Sequence, residues 1–124
     1  MKTYTGGRNG LLAAMLAGVL SLGACASSAS VEGDWGSDEP GQAQLTFRGD
    51  GSVSGSDGCN RLTGRWEEGE QGEGSAQLDH LAGTLMACTD VDTWLSRADA
   101  VTVREGSLHV FDAQGVEIGT LPRQ

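Results

Sequence analysis

The sequence has few basic residues. It contains 8 Lys and Arg against 17 Asp and Glu, and its formal net charge is −9. Because nucleic acids are bound by basic surfaces that face the phosphates, this balance argues against a nucleic-acid partner. It also argues against a domain that lies flat on an anionic lipid leaflet, which attracts cations. Aromatic residues make up only 5% of the chain, so we expect a modest hydrophobic core.

A long apolar run is also missing. The longest one, residues 11–22, would span only ~18 Å as a helix, whereas the hydrocarbon core of a bilayer is ~30 Å thick. Lys2 and Arg8 precede this run and small residues follow it. This order is typical of an export signal, so residues 1–24 are predicted to be a signal peptide and not a transmembrane anchor.

The end of this segment carries a further motif. Leu22, Gly23, Ala24 and Cys25 resemble the lipobox of bacterial lipoproteins, which implies cleavage before Cys25 and attachment of lipid, including palmitate, to that cysteine. An ordinary secretory signal with a chance cysteine is the alternative. Residues 25–30 would then form a tether and residues 31–124 the folded domain. Loss of two basic residues changes the formal charge from −9 to −11. We expect the protein on the exported side of the cell membrane, periplasmic or extracellular.

Apolar residues alternate with polar ones along much of the predicted domain, which is typical of half-buried strands. Asp50 and Gly51 lie between two such runs and predict a hairpin. Three more alternating runs end the chain and predict a meander. Residues 67–75 contain four carboxylates and only polar, Gly or Ser neighbours, so we expect an exposed loop; the spacing of a calcium-binding loop is absent.

One helix is predicted after Cys88. Thr89 or Asp90 could cap it, and four apolar residues then follow at i, i+3, i+4 and i+7. These are Val91, Trp94, Leu95 and Ala98. The sequence therefore predicts an α+β fold, a small curved or barrel-like antiparallel β-sheet closed by one short helix.

Four segments in order resemble the META domain, the fold of the HslJ-type heat-shock lipoproteins. They are Trp35; Leu45, Thr46 and Phe47 with Asp50 and Gly51; residues 53–61 with Gly64; and residues 84–88. The resemblance marks as family-motif residues Gly55, Gly58, Asn60, Arg61, Gly64 and Met86. It implies an exported, often lipid-anchored domain linked to heat shock, novobiocin resistance and virulence, without accepted catalytic residues. The region after Cys88 is shorter than the family's usual helical segment.

Cys59 and Cys88 are the cysteines that remain beside Cys25. In an exported protein they most simply form one disulfide, and two buried free thiols are the alternative. A catalytic pair of Cys59 with His80 or His109 would make the protein an enzyme, but neither histidine lies in a recognisable nucleophile motif. The same four residues lack the spacing of a zinc site.

The residues after Cys59 have two interpretations. We expect Asn60 to bond local backbone in the bend and Arg61 to pair with a nearby acid, with a role in partner binding as the alternative. The sequence as a whole predicts a non-catalytic, lipid-anchored binding module for envelope stress or antibiotic tolerance, with no metal or cofactor. Its partners would be the membrane, through Cys25, and an unidentified envelope protein or small molecule. An envelope enzyme that uses Cys59 and a structural assembly aid are the alternatives.

Overall fold

Eight β-strands make up most of the protein between residues 30 and 124, the part of the chain that the computed structural model describes. Each strand pairs antiparallel with the next, so the order in the sheet is the order in the chain. The strands are β1 (Gly33–Gly36), β2 (Gln44–Phe47), β3 (Ser52–Ser56), β4 (Arg61–Gly69), β5 (Gly72–Gly83), β6 (Ala100–Arg104), β7 (Ser107–Phe111) and β8 (Glu117–Pro122).

The first and last strands bring the two edges of the sheet together. Trp35 of β1 forms an isolated antiparallel bridge with Arg123, and the Gln124 N–H donates to the Asp34 carbonyl oxygen at 3.0 Å. The Arg123 guanidinium also lies 3.9 Å from the centre of the Trp35 ring. The meander is therefore a nearly closed barrel, which leaves little unpaired strand edge at this junction.

The core fills the inside of this barrel. Alternation along each strand points one set of side chains inward, and these side chains can fill the interior of an eight-stranded barrel. Trp35 is completely buried, and its indole N–H donates to the Val31 carbonyl oxygen at 2.8 Å. The remaining core residues are Val31, Leu45, Phe47, Val53, Leu62, Ala76, Leu78, Leu95, Val101, Leu108, Val110 and Leu121.

The predicted α+β class and its closing helix are wrong. Within residues 30–124 the only helical segment is a 3₁₀ turn, Trp94–Arg97, and the fold is nearly all antiparallel β-sheet. Asp90 has a left-handed φ of 64°, which is incompatible with a helix that starts at Thr89. A short helix also needs packing to offset its nucleation cost. Instead the buried Leu95 adds to the core, and the 3₁₀ turn packs on β5 and β8.

The predicted loop at residues 67–75 is also largely wrong, although its four glutamates are exposed as expected. β4 continues to Gly69 and β5 begins at Gly72, so only a two-residue turn at Glu70 and Gln71 joins them. Gly72 takes a φ of 96°, a conformation that suits glycine in a tight turn. Strand pairing here satisfies backbone groups whatever the side chains are. The terminal meander, by contrast, is confirmed by the pairing of β6 with β7 and of β7 with β8.

Three predictions fall on residues outside the described part of the chain. The signal peptide, the lipid attachment at Cys25 and nearly all of the tether lie in residues 1–29. In residues 30–124, no helix has the length and the apolar character that crossing a membrane requires.

Candidate functional site

A bend between β3 and β4 is organised around the buried Asp57, whose side chain is only 1% exposed. Its Oδ1 accepts hydrogen bonds from the backbone N–H groups of Cys59, at 2.9 Å, and Asn60, at 2.5 Å. The Asp57 N–H in turn donates to the Asn60 carbonyl oxygen at 3.1 Å. Gly58 has a φ of 99°, and a Cβ there would lie 2.8 Å from the Gly41 carbonyl oxygen. The bend is therefore held in one conformation.

Asn60 connects this bend to a segment far along the chain. Its Oδ1 accepts from the Met86 N–H at 2.6 Å and from the Thr84 hydroxyl at 3.1 Å. The Thr84 hydroxyl oxygen also accepts from the Arg61 N–H at 3.1 Å. Asn60 was predicted to bond local backbone, but its only local side-chain contact is a 3.5 Å hydrogen bond to Asp57 Oδ2. Its main role is to position residues 84–86.

A disulfide joins the same two segments. It links Cys59 to Cys88, whose Cα atoms are 5.8 Å apart. In this bonded state Cys59 carries no thiol, which a nucleophile requires. Neither histidine is hydrogen-bonded to it: His80 contacts Asp79 at 2.5 Å and His109 contacts Glu117 at 3.1 Å. In residues 30–124, no group of three or more His, Cys, Asp or Glu side chains is arranged to hold a metal ion.

A shallow groove of about 660 Å³ lies on the outer face of β2, β3 and β4, beside this cross-linked corner. We call it the Arg61 groove. The register of the strands places Gln44, Ser56 and Arg61 in one row across the sheet, and Ser54 and Thr63 in the next. Cross-strand neighbours of this kind lie ~5 Å apart at Cβ. The groove is lined by Gln44, Ser54, Gly55, Ser56, Cys59, Arg61, Thr63, Thr84 and Met86.

Apart from Asn60, the family-motif residues divide into two groups around this groove. The glycines allow the strands to approach: a Cβ on Gly55 would overlap the Gln44 carbonyl oxygen, and one on Gly64 would lie 3.0 Å from the His80 carbonyl oxygen. Arg61 and Met86 are exposed instead and line the groove. The prediction that Arg61 pairs with an acid is wrong, because its side chain forms no ion pair within residues 30–124.

Sequence reasoning missed the polar floor of the groove. Gln44, Ser54, Ser56 and Thr63 occupy the outward positions of strands whose inward positions are apolar. Alternation alone could have assigned them to the outer face. Their convergence on Arg61 depends on the register between three strands, which alternation does not give.

A second groove, of about 580 Å³, has the opposite chemistry. It lies along β4–β7 near the β4–β5 turn, and we call it the acidic groove. Its carboxylates are Glu67, Glu68, Glu70, Asp99 and Asp112. No Arg or Lys is among the residues that line it.

Comparison with known proteins identifies the family. The family model of the META domain matches residues 27–123, which include the whole barrel and every residue of the Arg61 groove. Neither the comparison with curated proteins nor that with solved structures gave a match. With nearly the whole described domain matched, the chain belongs to the META domain family.

Proposed function

We propose that the protein is a lipid-anchored, non-catalytic binding module of the cell envelope, that it acts in envelope stress or antibiotic tolerance, and that it binds through the Arg61 groove. Membership of the META family supports an envelope-associated binding module. The observation that carries the choice of site is the cross-linking beside the groove. A disulfide and the hydrogen bonds of Asn60 fix the exposed Thr84 and Met86 in place.

Rigidity at an exposed surface favours binding. An exposed segment that ordered only on binding would lose conformational entropy at that moment, and this loss reduces affinity. Here the disulfide and Asn60 order the segment beforehand. Met86 stays 61% exposed and Leu85 completely exposed, so the cross-links present these side chains to solvent without burying them. This arrangement is the one expected of a preformed contact surface.

The lipid anchor is supported by sequence alone. Leu22, Gly23, Ala24 and Cys25 match the order of a lipobox. A tether of residues 25–30 would reach only about 20 Å at ~3.5 Å per residue, so the barrel would stay close to the bilayer. Its net charge of −11 after loss of residues 1–24 would keep it from lying flat on anionic lipid.

The anchor is tested by Cys25→Ser in the full chain. We expect this variant to lose labelling with radioactive palmitate. We also expect it to leave the membrane fraction, because a chain without lipid at residue 25 lacks the acyl groups that anchor it. Ser28→Ala, a small neutral change in the same tether, is the control and should stay with the membrane. Unchanged palmitate labelling of Cys25→Ser would contradict the anchor.

The binding role is tested by filling each groove separately in a deletion strain under heat and antibiotic stress. Thr63→Trp places a large side chain on the outer face in the Arg61 groove, and Thr102→Trp does the same in the acidic groove. We expect wild type and Thr102→Trp to restore tolerance and Thr63→Trp to fail, at equal protein levels. Full tolerance with Thr63→Trp, or a deletion without any phenotype, would overturn the proposal.

A further inference from the structure

We propose that the Arg61 groove takes a small amphiphilic organic anion, with a carboxylate or similar group on Arg61 and an apolar body on Met86. This inference rests on the proposed function, because it names the chemical class that the same groove binds. It is carried by three observations: the charges that line the groove, the hydrogen-bond donors that remain free there, and the apolar wall beside them.

The charge of the groove is opposite to that of the protein. No carboxylate is among its lining residues, and Arg61 is there without an ion pair in residues 30–124. Four other depressions of the described surface each contain at least two carboxylates. An anion would be repelled at those places and attracted at this one, so the acidic surface directs it to Arg61.

The hydroxyl groups of the groove add donors to the guanidinium. Ser56 Oγ accepts from the Gly58 N–H at 3.0 Å, and Ser54 Oγ accepts from Arg48 Nη1 at 2.9 Å. Because both use the oxygen as acceptor, each hydroxyl hydrogen remains available to donate. The Thr63 hydroxyl forms no hydrogen bond within residues 30–124. A guanidinium with neighbouring O–H donors suits the two oxygens of a carboxylate.

The other wall of the groove is apolar. Met86 and Cys59, whose sulfur belongs to the disulfide, line it, and the adjacent Leu85 is completely exposed. Methionine adapts its shape to apolar ligands of different form. An inorganic anion would leave this wall in water, whereas an aliphatic or aromatic body would cover it and gain hydrophobic free energy. The volume of about 660 Å³ is in the range of small-molecule sites, ~300–1,000 Å³.

The test uses four probes on the ¹⁵N-labelled, oxidised full chain. They are decanoate, the neutral decanol, the cationic decyltrimethylammonium and acetate, an anion without an apolar body. Decanoate and decyltrimethylammonium are kept below their critical micelle concentrations, and decanol is kept below its solubility limit. Decanoate should shift the amide resonances of Gly55, Arg61, Thr84 and Met86 in a saturable manner. The other three should bind at least about tenfold more weakly, since each lacks the charge or the apolar body that the groove requires.

Two charge-matched variants test the role of Arg61. Arg61→Gln should weaken decanoate binding about tenfold or more, which is the loss of one charge-assisted contact. Arg97→Gln removes the same charge from the exposed 3₁₀ turn and should leave the affinity unchanged. Equal binding of decanol and decanoate, equal loss in both variants, or shifts confined to other residues would each overturn the proposal.

The two proposals can fail separately. If no probe binds the groove but Thr63→Trp still abolishes stress tolerance, the amphiphilic anion is wrong and the binding role of the groove stands. If decanoate binds as expected but Thr63→Trp restores tolerance, the groove has this chemistry and the proposed role in stress is wrong.

Discussion

The Arg61 groove and the acidic groove lie on the same barrel and have similar volumes, yet they differ in charge and in how they are held. The acidic groove has five carboxylates and is bordered by a hairpin turn. The Arg61 groove has a guanidinium that forms no ion pair within residues 30–124, and a disulfide and Asn60 fix its edge. In a chain with 17 acidic residues, an acidic depression requires no special explanation. A depression that combines positive charge with covalent reinforcement does, and ligand binding provides one.

The largest effect should come from breaking the disulfide. Either replacement, Cys59→Ser or Cys88→Ser, should lower the free energy of unfolding by roughly 3.5 kcal/mol. This is the chain-entropy value for a disulfide between cysteines 29 positions apart in the sequence. Urea denaturation without reductant measures it. Hydrogen exchange should speed up at Thr84 and Met86, beside the Arg61 groove, and remain slow at Val101, beside the acidic groove.

The same two variants distinguish a cross-link from a nucleophile. A disulfide predicts equal losses of stability and of probe binding for the two serine variants, because either change removes the whole bond. The alternative is that Cys59 is a catalytic nucleophile. It would be supported if Cys59→Ser alone lost an enzymatic activity while both variants had the same stability.

Gly55→Ala should have the next largest effect, because the added methyl group would overlap the Gln44 carbonyl oxygen where β2 and β3 pair. Forcing the strands apart should cost about 3 kcal/mol. Gly49→Ala is the matched control, since its nearest contact is the exposed side chain of Glu32 at 3.1 Å, which can move. Equal melting temperatures of the two variants would contradict this prediction, because they would show that β2 and β3 can move apart at the floor of the Arg61 groove without loss of stability.

Asn60→Ala should come third. It removes two hydrogen bonds to residues 84–86, each with a net contribution of ~1 kcal/mol, so we expect a loss of about 2 kcal/mol. Gln114→Ala, an exposed amide in a turn, should cost almost nothing. If Asn60→Ala weakens decanoate binding by more than its loss of stability explains, the position of Met86 matters for the ligand. Unchanged binding would show that the disulfide alone positions Met86.

The fold was predictable where the pattern is local. Leu108 and Val110, or Leu45 and Phe47, alternate with polar residues, and both pairs are inward-facing strand positions in the structure. The helix was mispredicted because the apolar residues from Val91 to Ala98 have helical spacing. The left-handed Asp90 and the nearby disulfide at Cys88 nevertheless restrict the backbone. The spacing of apolar residues along the sequence does not reveal tertiary constraints of this kind.

The candidate site was predictable only in part. The motif around Cys59 and Asn60 identified the corner, and the compartment argument identified the partner of Cys59. An ion pair between Arg61 and an acid was predicted because acids are abundant in the chain. Whether an acid is actually within reach depends on the register of β2, β3 and β4, which place Ser54, Ser56 and Thr63 around Arg61 instead.

Asp50 provides the smallest and most local test, namely whether the charge of Arg61 acts on an acid outside its groove. At the β2–β3 turn, the Ser52 hydroxyl and N–H donate to Asp50 Oδ1 at 2.7 and 2.9 Å. These bonds, with a smaller contribution from the charges of Arg65 and Arg48, hold the pKa of Asp50 below its ordinary value. The stabilisation is therefore present above the unfolded-state pKa of ~3.9 and is lost as the pH falls through the native pKa.

Ser52→Ala should raise the pKa of Asp50 toward its ordinary value, because it removes the hydroxyl that contributes most to the lowering. Arg61→Gln should leave that pKa unchanged, since Arg61 is not among the groups that affect it. NMR titration of the Asp50 carboxyl carbon measures both. If Arg61→Gln raises the pKa of Asp50 as much as Ser52→Ala does, the charge of Arg61 already acts on Asp50. The groove would then lack the free cation on which its contrast with the acidic groove depends.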